Sequence, residues 1–286
     1  GETYGDQAVT TSLESIEKMY VLKEKAADYN VELTEDDEAA IADAASQFMA
    51  ANSEDTIKEL AVTEDQVKTL LELQTIQKKM YDPVVAEGNI TVSDDEANQT
   101  TFTYVSISTS GDDVTDEDKE TKKEQAQEIL DKMKEDPTAD MSEVASAVDE
   151  SYSAVQGNFT TKEGEDEDED STGAAYPDEV LTVLRGLKDG EVADDIIETD
   201  TGYYVVRLDK INDEDATASK RESLQNSKES IYYTDTTNQW LDDADVKVEK
   251  KVLKTLKITD NHTFTAPTST PTPSPEATPT PEVTEE

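Results

Sequence analysis

The spacing of apolar residues changes twice along this chain, and these changes limit the folds it can adopt. Apolar residues first recur at intervals of three and four, as at 41–49 and 67–71, which is typical of amphipathic helices. Residues 101–108, Thr-Phe-Thr-Tyr-Val-Ser-Ile-Ser, instead alternate and are β-branched or aromatic, which predicts a strand. Helical spacing then returns and predicts helices over residues 119–134, 141–148 and 178–187.

Three capping boxes divide the first hundred residues. They lie at 34–37, 63–66 and 93–96, each with a Ser or Thr followed three residues later by Asp, Gln or Glu. In such a box the hydroxyl accepts from the backbone of the third helical residue, whose side chain accepts in return, so two orphan donors are satisfied. We therefore expect a helix to begin at each box. A further helix before the first box is predicted to bury Leu13, Ile16 and Tyr20.

The chain returns to strand patterns after residue 190 and then becomes helical again. Ile196-Ile197 predicts a short strand and residues 203–208 a longer one, with turns at Asp189-Gly190 and Thr201-Gly202. One strand, three helices and two strands over about a hundred residues indicate an α+β unit. A long helix follows to about Trp240, for which we expect these apolar anchors: Leu224, Ile231 and Trp240. Valines at 246, 248 and 252 suggest a short strand or an extended finish.

These patterns predict an α+β fold in which one unit interrupts another. The expected domains are a helical domain in two parts, 1–98 and 213–262, with an α+β domain at 99–212 between them. Residues 263–286 hold six of the nine prolines, with Thr, Ser and Glu between them. This composition cannot bury apolar area and favours a disordered, polyproline-like tail. A more specific interpretation is that the tail is a spacer at a cell surface.

Charge and residue usage exclude several classes of function. The chain has 69 Asp and Glu against 25 Lys and Arg, a net charge of -44, which disfavours nucleic-acid and anionic-membrane partners. There is no cysteine, and His262 is the single histidine, so thiolate and His-based metal sites are excluded. We expect His262 to be idle. No stretch of the sequence is apolar for long enough to span a bilayer.

An acidic segment at 163–170 resembles part of a calcium loop. Asp166, Asp168 and Asp170 match its first three ligand positions, but Ser171 replaces the required Gly and Pro177 the bidentate Glu. The pattern therefore favours a solvated loop, and we predict no metal and no cofactor.

The segments 187–192 and 197–208 resemble the parvulin class of extracytoplasmic foldases, the PrsA/SurA-like peptidyl-prolyl isomerases. They read Leu-Lys-Asp-Gly-Glu-Val and Ile-Glu-Thr-Asp-Thr-Gly-Tyr-Tyr-Val-Val-Arg-Leu, close to an LKxGE turn followed by TxxGYHIIKL. Residues 104–108 are similar to the A-x-H-I-L strand, 140–145 to the D-F-x-x-L-A helix and 156–159 to the GGDLG turn. The resemblance extends over about residues 100–210, and more loosely over the capped helices. It implies a parvulin-like domain inserted into a helical SurA-N/PrsA-like chaperone domain.

The resemblance also implies site residues, with departures from the family. Both family histidines are replaced, by Ser106 and Tyr204, and the third polar position falls at Asp149 or Ser151. We therefore assign Ser106, Asp149 and Tyr204 to the catalytic positions. The family's substrate pocket maps to Phe159, Tyr176 and Val180. We add the hydroxyl of Thr199 as a fourth substrate-binding group.

Two functions follow from the resemblance. The first is an extracytoplasmic folding factor that binds unfolded or newly secreted polypeptides and their proline-containing segments, with an isomerase module whose activity stays open. The alternative is a non-catalytic binding or scaffold protein at the cell surface that retains the parvulin fold. The resemblance further implies a homodimer, and a precursor anchored to the membrane as a lipoprotein through a cysteine upstream of Gly1.

Overall fold

The chain forms two compact units, one of which interrupts the other. The computed structural model describes residues 4–111, 114–164, 176–253, 255 and 264–266. The helical unit comprises residues 1–90 and 229–286, and the inserted unit comprises 91–228. The predicted insertion into a discontinuous helical unit is therefore confirmed. The predicted domain limits at 99 and 212 stay a prediction.

Long helices pack around two apolar clusters in the helical unit. One cluster is centred on Ile41, Phe48 and Leu71, and the other on Leu22 and Met80. The elements are α1 (Tyr4–Lys25), a 3-10 turn (Ala26–Tyr29), α2 (Glu35–Ala51), α3 (Glu54–Leu60), α4 (Glu64–Glu87), and, after the inserted unit, the later part of α9 (Glu214–Asp243) and α10 (Lys250–Leu253).

The three predicted capping boxes are confirmed. In each, the Ser or Thr side chain accepts from the third helical backbone N–H, and the side chain of that residue accepts in return. A fourth box, which we did not predict, begins α6 at Thr115. The box at Thr34 is tied to the core as well, because the Lys79 ammonium pairs with Asp37, whose side chain is 8% exposed. Burial alone would raise the pKa of Asp37, but hydrogen bonds from Lys79 and Thr34 lower it.

The inserted unit contains a four-stranded antiparallel sheet with strand order β2-β1-β4-β3. Its elements are α5 (Asp94–Ala97), β1 (Gln99–Ser108), α6 (Asp116–Glu135), α7 (Met141–Val148), β2 (Val155–Thr160), α8 (Asp178–Leu184), β3 (Ile197–Thr199), β4 (Gly202–Lys210) and the first part of α9. The α+β class is therefore confirmed.

Helices cover both faces of this sheet. On one face, Val105 and Ile107 pack against α6 and α7 through Ile129, Leu130 and Met133. On the other, α8 packs through Val180 and Leu184 onto a cluster that includes Phe102, Val206 and Leu208. Because side chains alternate along a strand, β1 and β4 supply both cores at once.

Ion pairs join the two ends of the inserted unit. The Arg221 guanidinium of α9 donates to the carboxylate of Asp94 at 2.6 Å and to the Val92 carbonyl at 2.7 Å. About two turns further along α9, the Lys228 ammonium pairs with Glu96 of the α5 capping box. The first and last segments of the inserted unit are thus fastened to each other.

Residues 156–159, for which the resemblance indicates a turn, form part of strand β2. Phe159 pairs with Thr100 and Gly157 with Phe102 along β1. Gly and Asn have low strand propensity, but the burial of Phe159 against Phe102, with ring centroids 5.8 Å apart, stabilises the strand. The predicted count of three strands in this unit was wrong by one.

Two predicted apolar faces are oriented differently from our expectation. Helix α1 buries Met19, Val21 and Leu22, whereas Ile16 and Tyr20 are 40% and 48% exposed. In α9, Ile231 is exposed, and Tyr233 packs instead against the cluster around Leu22. The aromatic residues of α9 bury more area than a single isoleucine can, so they determine which face of the helix turns inward.

Several expectations lie outside the described residues: the tail from 267 onwards, the aspartates at 166–170 and His262. Val246 and Val248 lie between α9 and α10, outside any helix or strand, whereas Val252 lies in helix α10, so the predicted strand does not form across these valines. Within the parts of the chain that the structure describes, no helix combines the length and the apolar character needed to cross a membrane.

Candidate functional site

The two residues at the family histidine positions lie opposite each other on the central strands. Ser106 of β1 pairs with Tyr204 of β4 in the antiparallel ladder. Directly opposite residues point to the same face of a sheet, with Cβ atoms about 4.5–5.5 Å apart. The structure therefore brings these two predicted catalytic residues together, at the exposed end of the face that α8 covers.

Two further tyrosines lie beside this pair, and we call Tyr104, Tyr176 and Tyr204 together the tyrosine face. The Tyr104 ring lies 5.9 Å from the Tyr204 ring and 5.8 Å from the Tyr176 ring, centroid to centroid. The same ring stacks on Phe102 at 5.3 Å and 28°. Tyr104 thus lies between the predicted catalytic tyrosine and the predicted substrate-binding tyrosine.

Tyr176 reaches the sheet because β2 carries a glycine beneath it. A Cβ atom on Gly157 would lie 2.3 Å from the Tyr176 hydroxyl oxygen and 3.0 Å from the Phe102 ring. With no Cβ there, the Tyr176 ring packs edge-on against Phe102, with centroids 4.9 Å apart. Gly157 therefore positions Tyr176 on the tyrosine face.

The hydroxyls of Tyr104 and Tyr176 stay protonated at neutral pH. Burial raises the pKa of Tyr104, and the neighbouring Tyr176 and Tyr204 raise it further. Burial also raises the pKa of Tyr176, although a backbone hydrogen bond from Asn158 opposes the change. Both groups can therefore donate hydrogen bonds to a ligand over the whole physiological pH range.

The other predicted substrate-binding residues lie deeper or are occupied. Phe159 is 6% exposed and Val180 is fully buried, so both support the face from below. The Thr199 hydroxyl donates to the Gly202 carbonyl at 3.0 Å and stabilises the β3–β4 turn. Of the four, Tyr176 has the most direct access to the candidate site.

Asp149 lies apart from the tyrosine face. It follows α7, and its carboxylate accepts from the Ser151 hydroxyl at 2.6 Å and from the Ser151 N–H at 2.9 Å. These hydrogen bonds lower the pKa of Asp149. The flanking residues Val148 and Tyr152 pack on the sheet face that α6 and α7 cover. The two alternatives for the third polar position, Asp149 and Ser151, are thus bonded to each other.

Tyr104 is the functional candidate that sequence reasoning missed. Its signal was present, because Tyr104 and Ser106 are two residues apart in an alternating strand and must share a face. The resemblance to the family points only to the histidine position, Ser106, and gives no role to its neighbour on the same face.

A depression opens at the other end of the same sheet face. It has a volume of about 290 Å³. The Arg185 guanidinium carbon lies at its edge, 5.4 Å from the centre of the Phe159 ring. Its apolar lining consists of Phe159, Leu184, Leu187, Leu208 and Ile211. Among the residues that the structure describes, no group of three or more His, Cys, Asp or Glu side chains is arranged to hold a metal ion.

Comparison with known proteins agrees with the sequence resemblance for the inserted unit. Residues 105–210 match the family described as "Rotamase: PPIC-type PPIASE domain". The match begins in β1 and ends with β4, and so includes Ser106, Tyr176 and Tyr204. Comparison of the sequence with curated proteins finds no match.

Solved structures of PrsA proteins resemble the chain over most of its length. The foldase protein PrsA from Streptococcus pneumoniae is 15% identical, with 87% of this chain and 88% of that chain covered and a TM-score of 0.37. The PrsA peptidylprolyl isomerase from Bacillus cereus is 16% identical, with 85% and 86% covered and a TM-score of 0.35. PrsA from Bacillus subtilis is 16% identical, with 86% and 87% covered and a TM-score of 0.30. The predicted resemblance is confirmed by the family match: residues 105–210 are similar to PPIC-type peptidyl-prolyl isomerase domains.

Proposed function

We propose that this chain is an extracytoplasmic folding factor whose inserted unit binds proline-containing segments of unfolded polypeptides and catalyses their cis-trans isomerisation. The observation that carries the proposal is the pairing of Ser106 with Tyr204 beside the tyrosine face. The match of residues 105–210 to isomerase domains supports it. A location outside the cytoplasm, a lipid anchor and a homodimer belong to the same proposal and follow from the resemblance.

The chemistry requires no covalent step. Rotation about a prolyl amide meets a barrier of about 18–20 kcal/mol, because the C–N bond has partial double-bond character. A site lowers this barrier when it binds the twisted amide more tightly than the planar one. On the tyrosine face, the Tyr104 and Tyr176 rings would hold the proline ring, while Ser106 and a tyrosine hydroxyl would bond to the polarised amide.

A second candidate, a non-catalytic binding module, is favoured by the position of Tyr104. This ring contacts both Tyr176 and Tyr204 and stacks on Phe102. The space between the predicted catalytic and substrate-binding residues is thereby filled with aromatic atoms. Tyrosine rings with protonated hydroxyls are well suited to holding a proline-rich segment without twisting it.

A protease-free isomerisation assay on the full chain separates the two candidates. The variant is Tyr176→Ala, and its matched control is Tyr152→Ala, which removes a partly buried tyrosine from the opposite sheet face. Binding of the same proline peptides is measured in parallel by fluorescence anisotropy, and urea unfolding establishes that each variant is folded.

Each result has a definite meaning. Catalysis that falls in Tyr176→Ala and persists in Tyr152→Ala supports the isomerase. Proline-peptide binding that depends on Tyr176, without catalysis, supports the binding module. Absence of both catalysis and binding from the folded wild-type chain overturns the proposal for the tyrosine face.

A further inference from the structure

The helical unit has a groove that the proposed proline site does not use. The groove has a volume of about 500 Å³, within the range of roughly 300–1,000 Å³ typical of ligand sites. One wall is α1, and the other is the segment 244–249 that follows α9. The groove and its lining belong entirely to the helical unit.

The walls of the groove are apolar and accessible. On α1, the side chains of Leu13, Ile16 and Tyr20 line it at helical spacing, and Ile16 and Tyr20 are 40% and 48% exposed. On the other wall, Val246 and Val248 line the groove, and Val246 is 41% exposed. This is the α1 stripe that we expected to be buried, and it is left open toward solvent.

Carboxylates dominate the polar lining. Glu17, Glu24, Asp245 and Glu249 line the groove together with a single cation, Lys247. The Lys247 ammonium lies 3.5 Å from the Asp245 carboxylate. In the described parts of the chain, the other three carboxylates form no salt bridge. The groove therefore combines an apolar floor with an unbalanced negative charge.

The lysines of α1 do not relieve this imbalance, because each interacts elsewhere in the helical unit. The Lys18 ammonium donates to the Asn238 side chain at 2.6 Å. Lys23 lies 3.8 Å from the Glu72 carboxylate, and Lys25 lies over the Trp240 ring at 5.8 Å. Helix α1 thus presents glutamates on its groove side, while its lysines face α4 and α9.

We propose that this groove binds a cationic, amphipathic polypeptide segment, one in which Lys or Arg accompany apolar side chains. The apolar residues of the segment would cover Ile16, Tyr20 and Val246, and its cations would pair with Glu17, Glu24 and Glu249. Burial of apolar area supplies the affinity, and charge complementarity selects the segment. The inference rests on the proposed role as a folding factor and names a client class for a site remote in sequence from the tyrosine face.

The test uses the full chain and two fluorescent peptides of equal length, one alternating Leu with Lys and one alternating Leu with Glu. We expect anisotropy to show binding of the Leu–Lys peptide, which weakens as salt is added. The triple variant E17Q/E24Q/E249Q should bind it about tenfold more weakly, since three exposed charge pairs are together worth roughly one factor of ten.

A second triple variant provides the control for net charge. This variant is E124Q/E135Q/E179Q. The three glutamates that it replaces are exposed and lie in the inserted unit, and the net charge changes by the same amount as in the groove variant. If both triple variants weaken binding equally, long-range attraction accounts for the affinity and the groove proposal is overturned. Equal affinity for the Leu–Lys and Leu–Glu peptides would overturn it as well.

A substitution in the apolar wall of the groove tests whether the groove binds a second copy of the chain instead of a peptide. We expect Val246→Asp to abolish binding of the Leu–Lys peptide and to leave the mass in solution unchanged. A dimer that dissociates in this variant, with no peptide bound by the wild-type protein, would replace the proposal with an interface between copies. Binding of proline peptides in the same variants reports on the tyrosine face separately, so failure of either proposal leaves the other measurable.

Discussion

Ser106 lies directly opposite Tyr204 across strands β1 and β4, so a hydroxyl and a phenol occupy the two positions where the resembled family carries imidazoles. Hydroxyl groups are weaker bases than imidazoles, and each offers one O–H donor together with lone pairs that accept. Isomerisation needs no proton transfer, however, and the pair can contribute by donating and accepting hydrogen bonds. The proposed site is therefore an aromatic surface with two or three donors at its edge.

Replacing Ser106 tests whether its hydroxyl, at the edge of the tyrosine face, contacts the substrate. Ser106→Ala should lower kcat/KM for a proline peptide about three- to tenfold, which corresponds to one hydrogen bond of roughly 0.5–1.5 kcal/mol. Ser108→Ala makes the same change two residues along β1 on the same face, and should leave kcat/KM unchanged. A protease-free isomerase assay measures both. If the two variants behave alike, Ser106 does not touch the substrate.

Gly157→Ala should destabilise the inserted unit by about 1–3 kcal/mol, the usual cost of overpacking. The new Cβ would meet the Tyr176 hydroxyl at 2.3 Å, so Tyr176 must leave the tyrosine face and proline-peptide binding should weaken. Urea unfolding and anisotropy measure the two effects.

Gly186→Ala is the matched control for this substitution, because its Cβ would meet the Val183 carbonyl oxygen at an ordinary 3.4 Å. We expect the second change Tyr176→Phe to recover part of the stability lost in Gly157→Ala, since it removes the closest atom. Equal stability of Gly157→Ala and wild type would show that Tyr176 is not held against β2.

Acid should weaken the join between α5 and α9 in a defined window. The hydrogen bond from Lys228, with further hydrogen bonds from Ser93, lowers the pKa of Glu96 from 4.5 to about 2. A lowered pKa in the folded state means that the stabilisation is complete above about pH 4.5 and is lost as the pH falls toward 2. After allowance for solvent screening of side chains about one-third exposed, it amounts to about 1 kcal/mol.

The comparison of wild type with Glu96→Gln isolates this effect. Urea unfolding at a series of pH values should show the variant about 1 kcal/mol less stable at neutral pH, with the difference shrinking below about pH 4.5. Glu124→Gln should follow the wild type throughout. A stability difference that is constant with pH would mean that the Glu96 charge does not contribute.

Alkaline pH should weaken the helical unit through Tyr29. Its hydroxyl donates to the Glu87 carboxylate at 2.5 Å. Burial, followed by this hydrogen bond and the Glu87 charge, raises the pKa of Tyr29 from 10.0 to about 12. Because the pKa is raised in the folded state, the stabilisation is complete below about pH 10 and is lost as the pH rises toward 12.

The absorbance of tyrosinate follows the titration of Tyr29, and urea unfolding measures the stability of the protein at each pH. Tyr29→Phe should remove one late-titrating tyrosine and be less stable than wild type below about pH 10, with the difference disappearing toward pH 12. Tyr4→Phe, at a ring that is 88% exposed, should leave the stability unchanged. Loss of a tyrosine that titrates near pH 10 from Tyr29→Phe would contradict the prediction.

The features that the sequence predicted best depend on local interactions. The capping boxes at Thr34 and Thr63 need only four consecutive residues, so their pattern is sufficient. Strand β2 was missed because its stability comes from pairing with β1 and from burial of Phe159, which are contacts between distant segments. Propensity alone assigns Gln-Gly-Asn to a turn.

The candidate site could likewise be predicted only in part from the sequence. Ser106 and Tyr204 could be named from a resemblance in sequence, and the ladder places them together. That Tyr104 lies between Tyr176 and Tyr204, and that Gly157 leaves room for Tyr176, are consequences of side-chain packing across three strands. On α1, periodicity identified Ile16 and Tyr20 as an apolar stripe but could not tell an open groove from a core.

The insertion of one unit into another has a consequence for biosynthesis. The inserted unit, residues 91–228, separates α4 from the later part of α9 along the chain. A ribosome that adds about 5–20 residues per second therefore needs roughly 7–28 s to make it. Throughout that interval, α1 and α4 are without Tyr233 and Trp240, which close the cluster around Met80 in the finished helical unit. The nascent chain therefore spends those seconds with its first-made helices exposing apolar surface, and a factor proposed to assist folding would itself depend on protection while it is being made.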